Sequence, residues 1–381
     1  MKKLIFLLFL LPLPMMAQWA IMKSDADSLV RAGADHIYNV EFDSARACFS
    51  EVIKRYPDHP AGYFLDAMVE WWNVTLYRYT EQYDDEFLRK IDRVLNLCDR
   101  LLEDNPMDLN ALFFKGGALG YRGRYYTIRE SWVRAAADGK EAFDILTECH
   151  KIAPGNHDIM LGTGIYNYFA EALPEKYPLL NPALLFLPSG DKKLGILQLR
   201  AAARRARYAS VEARVVLMQI YYTFEDNASE ALKISRELHE EYPNNPYFHR
   251  YYGRCLVKRG STASMEQEWR VVVRRCLDKW PGYDNSTARE ALYYVGTALM
   301  WRGQYEDALK YLYKCDEASR YVDRDGPSGF MIRTNLKIGM ILDIQGKRKY
   351  AIKQYKKVLD WDEYQDSHDR ARQYIEHPYG R

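Results

Sequence analysis

Three glycines at a constant spacing constrain the fold of this chain more than any other feature. Gly253, Gly296 and Gly339 lie 43 residues apart. The residues around them repeat as well, because residues 289–315 and residues 332–358 share one order of apolar, small and polar positions. Segments that resemble one another at such a period are typical of helical-hairpin arrays, in which each hairpin buries its apolar face against its neighbours. The spacing therefore predicts an all-α repeat protein.

The N-terminal segment shows the hairpin pattern most simply. Apolar or small residues recur every three or four positions in residues 29–37 and again in residues 42–53, which is the spacing of one helical face. The residues between these two runs are expected to form the turn, and Pro57 blocks continuation of the second helix. Gly33 and Ala45 are small enough to let the two helices approach closely.

Residues 289–325 carry a more specific order of small and bulky residues. A small residue in the first helix, a glycine at the turn, an alanine in the second helix and a bulky residue four positions later are Gly296, Gly303, Ala308 and Leu312. This order resembles the tetratricopeptide repeat (TPR) family. The same order recurs as Gly339, Gly346, Ala351 and Tyr355, as Gly253, Gly260 and Trp269, and as Ala231, Leu238 and Pro243 with Gln219 in place of the first glycine.

The TPR resemblance implies a helical-hairpin solenoid, or superhelix, over residues 25–365. We expect about eight hairpins, at residues 25–59, 60–108, 109–156, 157–209, 212–245, 246–284, 289–325 and 332–365. We expect residues 366–381 to form a C-terminal capping helix that covers the apolar end of the last hairpin. The second and third hairpins exceed the usual length without being rich in Gly or Pro, so lengthened helices are expected there.

A Pro/Leu-rich insertion interrupts the fourth hairpin. Residues 172–191 contain prolines, which exclude a long regular helix, and leucines, which must be buried by packing. We therefore expect a short helical lid that packs on the repeat array. Gly162 to Phe169, this insertion with its closing Ser189-Gly190-Asp191, and then Leu194-Gly195 and Leu197 to Ala202 are similar to the inclusion-body-clearance family of TPR proteins. That resemblance covers residues 100–210 and implies a TPR fold with partner binding rather than an activity.

The N-terminal residues have the pattern of a signal peptide. Lys2 and Lys3 precede an apolar run that ends at Met16, and Ala17 before Gln18 is a suitable cleavage site. A retained N-terminal anchor is the alternative. An Ala-Gln junction without a lipidation cysteine is typical of Gram-negative export, which predicts a periplasmic or outer-envelope location, with secretion as the alternative.

Charge and hydropathy exclude two classes of partner. The chain has 54 Lys and Arg against 52 Asp and Glu, and removal of residues 1–17 takes away two lysines. The mature chain is then neutral overall and has no general attraction for nucleic acid. After the signal, no apolar run approaches the roughly 20 residues that a membrane-spanning helix needs.

The six cysteines could form disulfides in an exported protein. Cys48, Cys98, Cys149 and Cys315 fall among apolar residues of second helices, where a free cysteine behaves as a small buried hydrophobe. We therefore expect buried thiols. Cys255 and Cys276 lie within one hairpin, and their pairing stays open.

No catalytic or metal-binding motif is present. The eight histidines are scattered without the spacing of a metal site, and the motifs of nucleophile elbows, phosphate loops and dinucleotide folds are missing. The sequence therefore predicts neither an enzyme nor a bound metal or cofactor.

One group of residues in the third hairpin suggests a binding surface. It consists of Tyr121, Arg122, Arg124, Tyr126 and Arg129. Arginine together with aromatic residues is typical of binding anchors. The alternative is that the aromatic rings pack within the lengthened hairpin while the arginines are solvated or pair with acids.

A second group falls on the inner helices of the last three hairpins. Some TPR proteins hold the terminal carboxylate of a peptide with basic and Asn residues at such positions, so the resemblance implies a protein or peptide partner, and the basic residues here favour an acidic one. In this chain an Arg and a Tyr replace two asparagines. The residues expected on this face are Arg250, Arg254, Tyr293, Tyr294, Trp301, Arg333 and Lys337.

These observations favour an exported, non-enzymatic scaffold that holds a partner polypeptide on its concave face. The 31 Tyr and 8 Trp also suggest an alternative, a glycan or small-ligand binding protein of an envelope uptake system. Many of these aromatic residues, Trp269 and Tyr355 among them, fall on packing positions, which favours core filling over sugar stacking.

Overall fold

A computed structural model describes residues 24–178, 188–323 and 326–380. All regular structure in these ranges is helical, and no strand occurs in them. The helices are α1 Ser24–Tyr38, α2 Phe42–Arg55, α3 Pro60–Leu76, α4 Asp84–Asp104, α5 Leu109–Ile128, α6 Trp132–Ile152, α7 Ile159–Lys176, α8 Lys192–Arg205, α9 Ser210–Thr223, α10 Ala228–Glu241, α11 Pro246–Lys258, α12 Thr262–Leu277, α13 Asn285–Trp301, α14 Tyr305–Val322, α15 Gly329–Ile344, α16 Arg348–Leu359 and α17 Ser367–Glu376. They form an all-α fold of helical hairpins.

Short polar residues begin several of these helices. Asp284 accepts a hydrogen bond from Thr287 N and Ser328 accepts one from Met331 N, which satisfies backbone donors that the first helical turn leaves free. Because of these caps, α13 and α15 begin at Asn285 and Gly329, a few residues before the starts of 289 and 332 expected from the sequence. In the second and third predicted hairpins, α4, α5 and α6 have 21, 20 and 21 residues, which confirms the expectation of long helices.

The glycines at 253, 296 and 339 bring the two helices of a hairpin together. A methyl group at Gly253 would meet Trp269 Cε2 at 2.7 Å, and one at Gly296 would meet Leu312 Cγ at 2.8 Å. Gly339 faces the ring of Tyr355 in the same way. Each bulky side chain therefore fills the space that a glycine leaves, and a side chain at these positions would push the helices apart.

The described residues divide into two compact units. Unit I comprises the described parts of residues 1–32, 48–65 and 90–210, and unit II comprises those of residues 33–47, 66–89 and 211–381. In unit I, α5 packs on α6, α6 on α7, and α7 on α8. Leu146, Cys149 and Ile159 form a small buried cluster there.

Asp158 fixes the chain that follows α8 in unit I. Its carboxylate accepts hydrogen bonds from the backbone N–H groups of Arg207, Tyr208 and Ala209 at 3.3, 2.8 and 2.9 Å, and Asp158 is buried. A single carboxylate therefore satisfies three consecutive backbone donors, which would otherwise be costly to leave without partners.

The Pro/Leu-rich insertion is only partly described. The helix α7 continues through Pro174 and ends at Lys176, so the first residues of the insertion are helical. Residues 179–187 lie outside the described residues, and the expected lid stays a prediction. The returning chain docks on α7, since Tyr166 Oη donates to Pro188 O at 3.0 Å.

Unit II contains an extended core. Its helices from α10 to α17 each contact the next one along the chain, and α13 also contacts α15. Trp269, Leu312 and Tyr355 are fully buried in this core. The last helix, α17, packs on α15 and α16, and the predicted signal segment, residues 1–17, lies outside the described residues.

The cysteines are free thiols, including Cys255 and Cys276, which do not pair. Burial raises the pKa of Cys98 and of Cys149 to about 12, so these thiols are unreactive at neutral pH. In the part of the chain that the structure describes, no helix has the length and apolar character needed to cross a membrane.

Candidate functional site

The seven residues expected on the inner face of the last hairpins all lie in unit II, on α11, α13 and α15. Arg250 and Arg254 are one turn apart on α11, and Arg333 and Lys337 are one turn apart on α15. The structure brings the α11 residues to α13 and the α15 residues to α13, but it uses the two pairs of cations in different ways.

Arg250 and Arg254 are occupied by an internal carboxylate. Glu290 on α13 lies 2.7 Å from Arg250 Nη2, and it accepts from Arg254 Nε at 2.5 Å and Arg254 Nη2 at 2.8 Å. Its side chain is 1% exposed. Burial alone would raise the pKa of Glu290, but the guanidinium groups of Arg254 and Arg250 outweigh burial and lower this pKa to about 2.

Arg250 and Arg254 are therefore already bonded to an internal carboxylate, and their binding of a partner carboxylate stays a prediction. Glu290 was not among the expected site residues, although it stands one helical turn before Tyr294 in the sequence. A carboxylate at that position on the neighbouring first helix is the signal that could have revealed the pairing.

Tyr293 and Tyr294 pack inside this face rather than standing free. Tyr294 stacks on Trp269 with ring centroids 4.8 Å apart and planes inclined by 26°, and both tyrosines contact Phe330 edge-on. Burial raises the pKa of both tyrosines. Trp301, at the end of α13, is different, since 55% of it is exposed.

Lys337 is the most unusual residue of this face. Its Nζ lies 5.7 Å from the ring centroid of Tyr293 and 5.8 Å from that of Trp301. Burial lowers its pKa to about 8, and the positive charges of Arg333 and Arg370 add to this effect. Among the described residues, no carboxylate forms an ion pair with Lys337.

Arg333, one turn before Lys337, also lacks a carboxylate partner within the described ranges. Its Nη2 donates to Gln365 Oε1 at 2.5 Å, and its guanidinium lies 5.1 Å from the ring centroid of Tyr364. Both partners are uncharged, so the positive charge of Arg333 is not neutralised. Arg333 and Lys337 thus form a two-cation patch on α15, which we call the α15 patch.

The group expected in the third hairpin lies in unit I, near the end of α5. Arg122 donates to Asp138 at 2.7 and 2.9 Å and to Asp92 at 3.2 Å, and Asp138 is buried. These bonds raise the pKa of Arg122. Arg122 therefore links α4, α5 and α6, in agreement with the alternative that the arginines of this group pair with acids, and a binding role for it stays a prediction.

The other members of that group contact aromatic rings. Arg124 lies 5.2 Å from the ring centroid of Tyr121, and Arg129 lies 5.8 Å from that of Tyr125. Tyr126 packs on Tyr125 with centroids 5.4 Å apart. These cation–π and ring contacts stabilise the end of α5, and a binding role for these residues stays a prediction.

The structure also assembles a group that the sequence did not indicate. His239, His249 and Glu268 each offer one ligand atom, and these atoms lie within 4.8 Å of one another. Burial first, and His249 second, lower the pKa of His239 to about 4, and burial also lowers the pKa of His249. Both imidazoles are therefore neutral at pH 7. The three residues come from three helices, so no local spacing could have revealed them.

No protein-family model matches this chain, and no curated protein matches it. Solved structures match with low identity. The human IFIT1 dimer with m7Gppp-AAAA has a TM-score of 0.44 and 13% identity over 93% of this chain and 85% of that chain. Yeast Tom70 has a TM-score of 0.42 and 10% identity over 93% and 89%. A thermophilic TPR protein of Thermus thermophilus has a TM-score of 0.38 and 17% identity over 61% and 99%. Similarities this low carry no argument about function, and the resemblance to the inclusion-body-clearance family stays a prediction.

Proposed function

We propose that this protein is a non-enzymatic scaffold that binds an acidic segment of a partner polypeptide at the α15 patch. The observation that carries this proposal is the state of Arg333 and Lys337. Two cations stand one helical turn apart, and no carboxylate in the described ranges neutralises either of them. A carboxylate supplied by a partner would complete this arrangement.

The electrostatics of Lys337 favour such a partner. A partly buried ammonium without a counter-ion is held at a cost, which its lowered pKa reflects. A partner carboxylate at hydrogen-bond distance would form a charge-assisted bond and remove that cost. The exposed indole of Trp301, next to Lys337, offers an aromatic surface of the kind that anchors protein interfaces.

Arg250 and Arg254 contribute to the same face in a different way. Their charges exceed that of Glu290 by one, so this cluster stays net positive although both guanidinium groups are bonded. It adds a long-range attraction for an acidic segment, which speeds association more than it stabilises the complex.

We place this scaffold in the cell envelope of a Gram-negative bacterium, on the basis of the signal-like residues 1–17. The test is N-terminal sequencing of the protein recovered from its native cells. A mature N-terminus at Gln18 in the envelope or medium fraction supports export, whereas an intact Met1 in the cytoplasmic fraction contradicts it.

The binding proposal is tested with peptides of defined charge. Fluorescence anisotropy would compare a labelled Glu/Asp-rich peptide with a Gln/Asn-rich peptide of the same length, each with a free or an amidated C-terminus. We expect the acidic peptide alone to bind, with an affinity that falls as salt is raised. Comparison of the free and amidated forms shows whether the protein binds the side-chain carboxylates or the terminal carboxylate of the peptide.

A matched pair of charge reversals locates the site. Arg333→Glu with Lys337→Glu should weaken acidic-peptide binding by about tenfold or more, since each charge-assisted bond contributes roughly 1.5–3 kcal/mol. The control is Lys349→Glu with Lys353→Glu, which makes the same change on exposed positions one turn apart on α16. Equal loss in the two variants, or equal binding of acidic and neutral peptides, would overturn the proposal.

A further inference from the structure

We propose that His239, His249 and Glu268 in unit II form a binding site for a divalent transition-metal ion of the zinc class. The site is separate from the α15 patch and does not depend on the proposed function. His239 lies on α10, His249 on α11 and Glu268 on α12, so three consecutive helices each contribute one ligand.

Two buried nitrogen atoms of this group have no hydrogen-bond partner. His249 is fully buried and its Nε2 makes no hydrogen bond, and the same holds for Nδ1 of His239. Buried polar atoms are nearly always satisfied in folded proteins, and a role in binding an ion is one of the few explanations for an exception. Two such atoms beside a carboxylate point to a cation ligand.

The distances fit a zinc-sized ion at two of the three ligands. Zinc binds imidazole nitrogen and carboxylate oxygen at about 2.0–2.2 Å, and tetrahedral coordination then places two ligand atoms about 3.3 Å apart. His249 Nε2 and Glu268 Oε2 are 3.3 Å apart, although their approach lies outside hydrogen-bond geometry. This pair already has the spacing that one shared ion requires.

His239 must turn to complete the site. Its ring stacks on that of His249, with centroids 4.3 Å apart and planes inclined by 15°. Lone pairs in two parallel rings do not converge on one ion, so the His239 imidazole has to rotate about its Cβ–Cγ bond. The His239 side chain is half-buried, and its ring also stacks on that of Tyr252 with centroids 5.7 Å apart, so this rotation exchanges both ring contacts for the metal.

A second layer of contacts orients His249. Its Nδ1 lies 3.0 Å from Tyr283 Oη, which accepts a hydrogen bond from Arg275 Nη1 at 2.7 Å. With a metal on Nε2, the imidazole proton occupies Nδ1 and is donated to Tyr283 Oη. Metal-bound histidines generally donate their other N–H to such an acceptor.

The ligand types select the class of ion. Two imidazoles and one carboxylate are a set that proteins use for zinc, and imidazole favours zinc, copper or nickel over the oxygen-seeking ions magnesium and calcium. The cationic side chain of Arg275 opposes any dication here. We therefore expect binding weaker than that of fully closed structural zinc sites.

The experiment uses the whole chain after treatment with a chelator. Zinc chloride is titrated into it by calorimetry, cobalt chloride is added while visible absorption is recorded, and the melting temperature is measured with and without zinc. We expect one ion per chain, the visible bands of four-coordinate cobalt, and a raised melting temperature, because a ligand that binds only the folded state stabilises it.

Matched variants test the residues. His239→Gln with Glu268→Gln should abolish binding, whereas His36→Gln with Glu41→Gln removes an exposed histidine–carboxylate contact in the same unit and should leave zinc binding unchanged. Tyr283→Phe, which keeps the ring but removes the acceptor, should weaken zinc binding about 10–100-fold. His249 is left intact because replacing a fully buried side chain would itself destabilise the fold.

Two results would overturn the proposal. The first is the absence of saturable zinc and cobalt binding by the wild-type chain. The second is equal zinc binding by the two double variants, which would show that the ion uses surface groups. Circular dichroism of each variant confirms that the helices are retained, so that loss of binding is not loss of folding.

Discussion

Replacing Lys337 with methionine should make this protein more stable at neutral pH. Methionine has a similar length and fills irregular apolar space well, so Lys337→Met removes the charge while keeping most contacts with Tyr293 and Trp301. The folded pKa of Lys337 is about 8 against an ordinary value of 10.5. At 1.36 kcal/mol per pKa unit, this difference corresponds to about 3 kcal/mol.

Loss of the two weak cation–π contacts offsets about 1 kcal/mol of this gain. The net stabilisation of Lys337→Met is then about 2 kcal/mol at pH 7. The sign follows from proton binding: between pH 8 and pH 10.5 the unfolded chain holds the Lys337 proton and the folded chain has released it. Wild-type stability therefore rises with pH across this interval, and the advantage of the variant disappears by its upper end.

Urea unfolding of both proteins at pH 7, 9 and 10.5, followed by circular dichroism, measures this difference. Lys349→Met changes an exposed lysine on α16 and is expected to leave the unfolding midpoint unchanged at every pH. A Lys337→Met protein that is no more stable than wild type at pH 7, or whose advantage does not depend on pH, would refute the reasoning. The same variant should also bind the acidic peptide less tightly, because it lacks one of the two cations of the α15 patch. Binding and stability would then make opposite demands on this residue.

Two further substitutions test the internal contacts of each unit. Glu290→Gln leaves Arg250 and Arg254 without their counter-charge and should lower the free energy of unfolding by about 3 kcal/mol at pH 7. This value is at the low end for broken buried ion pairs, because both guanidinium groups keep some solvent access. Since the pKa of Glu290 is about 2, the difference from wild type in urea unfolding should shrink as the pH falls from about 4.5 towards 2. In unit I, Asp158→Ala leaves three backbone donors unpaired and should lower the free energy of unfolding by about 3 kcal/mol. Asp158→Asn should have an intermediate effect. Melting temperatures measure both changes, and equal melting temperatures would show that the carboxylate is dispensable.

The sequence allowed the hairpin fold to be predicted because its signals are local. The apolar positions recur within one helix, and each glycine lies in the same hairpin as the bulky residue that it faces. Helix starts were less well predicted, since the caps at Asp284 and Ser328 precede the apolar pattern on which the boundaries were based.

The site was harder to predict because its contacts join separate hairpins. Arg250 and Arg333 were expected to share one role, yet Glu290 neutralises the first and no described carboxylate neutralises the second. Whether an arginine is paired depends on which side chain the neighbouring first helix places beside it. A sequence pattern locates such a face but does not determine its charge.

The histidine–glutamate group in unit II illustrates the limit most clearly. His239 and His249 are ten residues apart on different helices, and Glu268 lies on a third. The spacing of apolar residues within one helix does not show which residues of three different helices will meet. Their meeting depends on how α10, α11 and α12 pack, which only the three-dimensional arrangement specifies.

The glycine contacts have a consequence for how such a chain can lengthen. Gly253 faces Trp269, Gly296 faces Leu312 and Gly339 faces Tyr355, and in each case the two residues are 16 positions apart within one hairpin. A duplicated block of 43 residues would contain both the glycine and the bulky residue that packs against it, whichever bulky residue that is. Growth by whole-hairpin duplication therefore needs no compensating change inside the copied block, and new substitutions are required only where the copy meets its neighbours.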